Sequence, residues 1–423
     1  PEIIVQPTDT TVCEGASAMF SIDAGVTSSP SFVWQVNEGA GWIDATGAPY
    51  VNENTPGLGI MTTTSLMDNN QYRVIVSGVC TPADTSLAAN LFINEVPEII
   101  SHPSDTTECE DGSVTFGVDA GVTTAAAYQW QVDQGFGFVD VSGGIYGGIN
   151  TDTLSITGIT SAIQGYRYRV VVSGTCTPPA ISNPASLFIN EKPEILLDPV
   201  DATICEDDNT LFYVNAGVTT SPVFAWEYNT GAGWNPLAAD AVHSGVDNDT
   251  LLLTAAPSTM DTWRYRVVVS GTCAPPVTSG EAELTIHERP EITLHPVDST
   301  VCEDGDAAFT VDAGLTTNAT YQWQVSSGGA FNNVFGAVYS GENTPSLQIT
   351  GALSFMDAYQ YRVLVGGTCT PAVTSDTAIL TVLEKPEILS QPADVTICED
   401  DNALFGINSG VTTNPVYQLS LIH

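Results

Sequence analysis

The phrase Pro-Glu-Ile recurs at Pro1, Pro97, Pro193, Pro290 and Pro386, every 96 or 97 residues, and each copy leads through Pro, Asp and Thr into Cys-Glu. Self-similarity at a fixed period constrains the fold before any residue-level argument, because each copy must be one structural unit. Solenoid units run about 20–45 residues, so a period of this size describes whole domains. The expected edges are 1–96, 97–192, 193–289 and 290–385, with 386–423 opening a fifth copy.

Within a copy the hydrophobic period is two. In the second, Val114, Phe116 and Val118 alternate with small or polar residues, as do Tyr128, Trp130 and Val132, then Leu154 and Ile156, then Tyr168, Val170 and Val172. Clusters of Gly, Asn, Asp, Thr and Pro separate these runs, which predicts short strands in an antiparallel sandwich and an all-β fold class. Hydrophobic residues make up 43% of the chain, enough to build packed cores despite 49 Asp+Glu against 9 Lys+Arg. The resulting net charge of −40 argues against nucleic acid or anionic lipid as partner, since both need a basic footprint. With no run of 18 or more apolar residues, direct membrane insertion is not expected.

The order of these runs resembles the immunoglobulin fold over nearly the whole chain. Trp34, Trp130, Trp226 and Trp323 match its strand-C tryptophan, and Tyr72, Tyr168, Tyr265 and Tyr361, each before Arg-Val, match its tyrosine corner. Asp68, Asp261 and Asp357 stand four residues before their tyrosines; Gln164 takes that place in the second copy. The family's inter-sheet cystine is missing. Its sites carry Ile22, Val118, Val214 and Val311 on one sheet and Val74, Val170, Val267 and Val363 on the other.

A different pair of cysteines occurs in every complete copy: Cys13 and Cys80, Cys109 and Cys176, Cys205 and Cys273, Cys302 and Cys369. The fixed spacing of 67 or 68 residues is read as one disulfide within each copy, near one end of the sandwich, with Cys398 left unpaired because its copy stops early. Persistent disulfides imply an oxidising, extracellular or cell-surface location.

More narrowly, Tyr-Gln-Trp-Gln-Val, Tyr-Arg-Val-x-Val and Ser-Gly-Thr-Cys-Thr-Pro resemble the immunoglobulin-like repeats of large secreted and surface proteins of the Bacteroidota. That resemblance implies an adhesin or filament stalk. The joints Asn94-Glu95-Val96-Pro97, Asn190-Glu191-Lys192-Pro193, His287-Glu288-Arg289-Pro290 and Leu383-Glu384-Lys385-Pro386 contain no Gly or Ser. Short proline-bearing joints favour an elongated, semi-rigid rod.

Candidates for chemistry are few. His102 and His295 occupy a slot that holds Gln6 and Gln391 in other copies, which suits a surface residue and not a base. No HExxH, GxSxG, phosphate-binding loop or dinucleotide fingerprint is present, so no catalytic or cofactor-binding residue is assigned and the chain is not expected to be an enzyme. Acids follow each first cysteine: Glu14; Glu110 and Asp111; Glu206, Asp207 and Asp208; Glu303 and Asp304; Glu399, Asp400 and Asp401. Clustered carboxylates suit calcium, and the competing reading is a solvated, self-repelling surface. Arg73, Arg169, Arg266 and Arg362 are expected to form local ion pairs on the outer face of strand F. Trp42, Phe136, Trp234 and Phe331 are the loop aromatics.

The fifth copy follows its siblings through Tyr417-Gln418 and then reads Leu-Ser-Leu-Ile-His. Residues 419–423 are read as non-native and the copy as truncated; the rival reading is a half-domain completed by a neighbour's strand. Together these features give a structural component of a filament or adhesin stalk, its partners other copies or other filament subunits. The alternatives are an array binding glycans or proteins, and a spacer carrying a distant enzyme or adhesin domain.

Overall fold

The computed structural model describes residues 1–420; the last three residues of the tail read as non-native lie outside them. Repeat one holds β1 (Thr10–Cys13), β2 (Ala18–Ser21), β3 (Ser31–Asn37), β4 (Trp42–Asp44), β5 (Tyr50–Val51), β6 (Gly57–Ile60), β7 (Gln71–Ser77), β8 (Asp84–Thr85) and β9 (Ala89–Asn94). One sheet runs β1-β9-β7-β3-β4, with β8 on β7, and the other runs β2-β6-β5. Repeats two, three and four have the same two sheets in the same order. Apart from single 3-10 turns such as Ser65–Met67, the described residues contain no helix. The chain is all-β, a tandem of immunoglobulin-like sandwiches.

One pairing departs from the antiparallel expectation. β1 runs parallel to β9, Thr10 opposite Leu91 and Cys13 opposite Asn94, and the equivalent pairs recur in the other three complete repeats. The reason lies in the proline that precedes each β1. The chain first bridges the β2 side, at Val5–Asp23 and its counterparts. It then passes a buried proline (Pro7, Pro103, Pro199, Pro296) that has no N–H to continue that ladder. From there it crosses to the other sheet, where the edge of β9 is open.

Each repeat has its own core. Trp34, Trp130, Trp226 and Trp323 are almost wholly buried, packed with the alternating valines of β7 and its counterparts. The indole N–H of each donates to a backbone carbonyl, Thr55, Thr151, Asn248 and Thr344, at 2.9–3.0 Å, so burial strands no donor. The apolar residues at the cystine-less positions join these cores, Val74, Val170, Val267 and Val363 fully. A buried serine completes the ladder where β8 interrupts it: the hydroxyls of Ser86, Ser182, Ser279 and Ser375 each accept from the N–H of one of those valines at 2.9 Å.

The tyrosines differ from the expected corner. Instead of reaching a nearby backbone group, Tyr168 meets the Tyr146 hydroxyl at 3.3 Å, Tyr361 meets Tyr339 at 3.1 Å, and Tyr265 meets His243 Nε2 at 3.1 Å. Phe20, Phe116, Phe212 and Phe309 pack against their rings, and burial pushes all four core phenols far above their ordinary pKa. The hydroxyl is thus held inside the core, spanning the two sheets. The residues four positions earlier share one role. Asp68, Gln164, Asp261 and Asp357 all accept from a backbone N–H of the last strand, at Ile93, Ile189, Ile286 and Val382.

Contacts group the chain into two compact units. The first comprises Pro1–Pro193 with two short pieces of repeat three, Val218–Pro222 and Gly271–Pro275; the second comprises the rest. Those two pieces are the loops of repeat three that hold Thr220 and Cys273.

Candidate functional site at the repeat junctions

The cysteines do not pair within repeats. Cys13 bonds Cys176, Cys109 bonds Cys273 and Cys205 bonds Cys369, so the first cysteine of each repeat joins the second cysteine of the next. Each bridge lies inside one of the two compact units. Cys80, Cys302 and Cys398 are exposed free thiols, which corrects the expectation for Cys80 and Cys302.

Strand direction explains the correction. Cys13 ends β1, parallel to β9 and level with its last residue, Asn94. β7 is antiparallel to β9 and begins opposite Asn90, so it starts near Cys13 and runs away from it. Cys80, three residues past the end of β7, therefore sits at the opposite pole. A seven-residue strand spans roughly 23 Å, whereas a disulfide needs Cα atoms within about 7 Å. Across the junction the Cα atoms stand 5.8–5.9 Å apart.

Each bridge closes over a junction built the same way. The N–H groups of Glu95, Glu191 and Glu288 donate to the hydroxyls of Thr124, Thr220 and Thr317 at 2.7–2.8 Å. The bonded sulfurs of Cys176, Cys273 and Cys369 lie 3.4–3.5 Å from the carbonyl oxygens of Asn94, Asn190 and His287. Gly174, Gly271 and Gly367 are required because a Cβ there would meet the carbonyl of Thr124, Thr220 or Thr317 at 2.7–2.8 Å.

The acids after the first cysteines serve this pole. Lys192 pairs with Asp111 at 2.7 Å and Lys385 with Asp304 at 2.6 Å. Arg289 pairs with Asp208 at 2.6 Å, and also donates to the carbonyls of Glu206 in its own repeat and Thr370 in the next. At the first junction Val96 and Gly15 take these places, without charge. The Glu95 and Glu288 carboxyls are raised above the usual range, chiefly by desolvation, with Glu14 and Glu206 respectively alongside. Among the described residues no three His, Cys, Asp or Glu side chains converge on one point.

Other candidates resolve into structural roles. His102 and His295 accept through Nδ1 from the N–H of Asn183 and Asp376, as Gln6 Oε1 does from Leu87, so His and Gln are interchangeable acceptors there. Only one of the four strand-F arginines forms the expected ion pair, Arg266 with Glu227 at 2.7 Å. Arg73, Arg169 and Arg362 donate instead to Gln35, Gln131 and Gln324. All four lie 4.0–4.2 Å over an aromatic ring: Trp42, Phe138, Trp234 and Phe331. The second repeat uses Phe138, and Phe136 is fully exposed at the hairpin tip. In repeat three Asp240, His243 and Tyr265 form a hydrogen-bonded chain. Its phenol is entirely buried and has no face for a substrate.

No protein-family model matches the chain. It is 27% identical over 192 residues to endoglucanase C of Cellulomonas fimi, a match covering 45% of this chain and 16% of that enzyme. Among solved structures, an I-band fragment of titin superimposes with a TM-score of 0.50 at 16% identity, over 68% of this chain and 98% of the fragment. A Glu-to-Ala variant of a three-domain titin fragment gives the same values. At such identity these structures speak for the fold alone, a tandem of immunoglobulin-like domains.

Proposed function

We infer that this chain is a non-catalytic structural segment of a secreted or cell-surface protein, a stalk whose repeats are stitched to one another by disulfides. The observation that carries this reading is the disulfide from each repeat into the next, a bond that strengthens the array and adds little to a single sandwich. Lengthening a loop from 67 to about 164 residues adds only about 0.8 kcal/mol of closure entropy, so what the longer bridge contributes is coupling between neighbours. Persistent bridges favour an oxidising compartment. The resemblance to Bacteroidota surface repeats supports an adhesin or filament stalk, with other copies, filament subunits, surface proteins or glycans as partners. Small-angle scattering tests it: an elongated particle that becomes more flexible on reduction is expected, and a compact particle, or one indifferent to reductant, rejects the stalk.

The partial match to endoglucanase C favours a second reading, in which these repeats are a spacer within a chain that carries an enzyme elsewhere. Sequencing the complete gene distinguishes the two, because a catalytic domain in the same reading frame decides for the spacer.

A further inference from the structure

The receiving half of a junction is also present on repeat one. Ser28 stands where repeats two, three and four place the threonine that accepts from the preceding repeat. Val79 N–H donates to the Ser28 carbonyl at 3.2 Å, as Thr175, Thr272 and Thr368 do to Thr124, Thr220 and Thr317. Gly78 is as confined as its counterparts, since a Cβ would meet Thr27 at 2.9 Å and the Ser28 carbonyl at 3.0 Å. Cys80 occupies the position of the three bonded second cysteines and is a free, exposed thiol. Beside it opens a cavity of about 250 Å³ lined by Pro1, Glu2, Val26, Thr27, Ser28 and Cys80.

We propose that this surface docks the far pole of another immunoglobulin-like repeat of the same type, one presenting a Cys-Glu turn beside its last strand, and that Cys80 bonds that cysteine. The argument is continuity with three junctions in the same molecule, where the same positions hold the same chemistry. Bond formation needs a small-molecule disulfide as oxidant. It first caps the partner cysteine; the Cys80 thiolate then attacks that sulfur, the new S–S bond forms, and the small thiolate leaves. The occupant has an uncovered pole. In the intact chain the pole of repeat four is already engaged, because Glu384 N–H donates to Thr413 of repeat five at 2.9 Å.

The test incubates the full chain with its own 1–385 fragment in a glutathione redox buffer. The fragment removes repeat five from the pole that carries the already exposed Cys302 and keeps every core residue of repeat four. Peptide mapping without reduction should find Cys80–Cys302 as the dominant intermolecular bridge. Cys80→Ser should abolish it. Gly78→Glu, which blocks the socket and leaves the thiol, should lower it several-fold while the Cys13–Cys176 bridge persists. A statistical mixture of bridges among Cys80, Cys302 and Cys398, or no intermolecular bridge while these thiols still react with an alkylating agent, overturns the proposal.

Discussion

Cys13 and Cys176 belong to different repeats, yet their Cα atoms lie 5.8 Å apart, while Cys80 of the same repeat as Cys13 sits at the opposite pole of the sandwich. The bridge therefore spans a junction that the main chain also crosses, at Glu95–Pro97. Two covalent connections join each bonded pair of neighbours.

A single cut in the main chain between residues 14 and 175 should leave the products attached. Limited proteolysis followed by electrophoresis should show one full-length band without reductant and two fragments with it. Separation without reductant would contradict the cross-repeat pairing.

The ion pairs at the repeat poles should differ in strength. Lys192–Asp111 is a single exposed contact, so Lys192→Ala should cost less than about 1 kcal/mol and the difference should fade in high salt. Arg289 adds two carbonyl acceptors on either side of its junction, a fork that lysine cannot reproduce. Arg289→Lys should cost about 1–2 kcal/mol, largely independent of salt. Denaturant unfolding of both variants at low and high salt measures this.

Trp130 is the packing centre of repeat two. Trp130→Ala should destabilise that repeat by about 3–5 kcal/mol. Trp130→Phe should cost about 1–3 kcal/mol, partly because the Thr151 carbonyl loses its donor. Guanidinium unfolding, followed by near-ultraviolet circular dichroism, reports both.

The carboxyl of Glu95, desolvated and beside Glu14, gives the first junction a pH dependence. The folded-state pKa of Glu95 is raised, so its contribution favours folding below the unfolded value and is lost as pH rises through the folded one. At neutral pH the ionised Glu95 carboxylate opposes folding. Glu95→Gln should therefore raise Tm slightly at pH 7, and the gain should shrink as pH falls toward about 4. Thermal melts over that range check the sign.

The period, the alternation of Tyr128, Trp130 and Val132, and the proline-led joints made the fold legible from the chain alone, because each reports a local periodicity or a local backbone restriction. The cysteine pairing was not legible in the same way. Its position in the sequence suggests nearness to the start of β2 and the end of β7, but those strands run in the same direction, so the two ends are at opposite poles. Fixed spacing is equally compatible with bonding inside a repeat and bonding to the next. The Tyr168–Tyr146 contact and the Ser86 acceptor were missed because neither residue stands out by type. One signal was available: Lys192, Arg289 and Lys385 occur where an aspartate follows the first cysteine at a matching place, and Val96 occurs where Gly15 does.

The bridges also decide how such an array carries tension. A load applied at the two ends passes from residue 13 through sulfur to residue 176, along the chain to 205, and through sulfur again to 369. Residues 14–175 and 206–368 lie off that path, so unfolding there releases no slack. The 176–205 segment, fully drawn out, spans about 100 Å. Repeats joined end to end by the main chain alone lengthen many-fold as they unravel; between residues 13 and 369 these repeats should lengthen far less. Stretching a single molecule should show large stepwise extensions only after reductant is added.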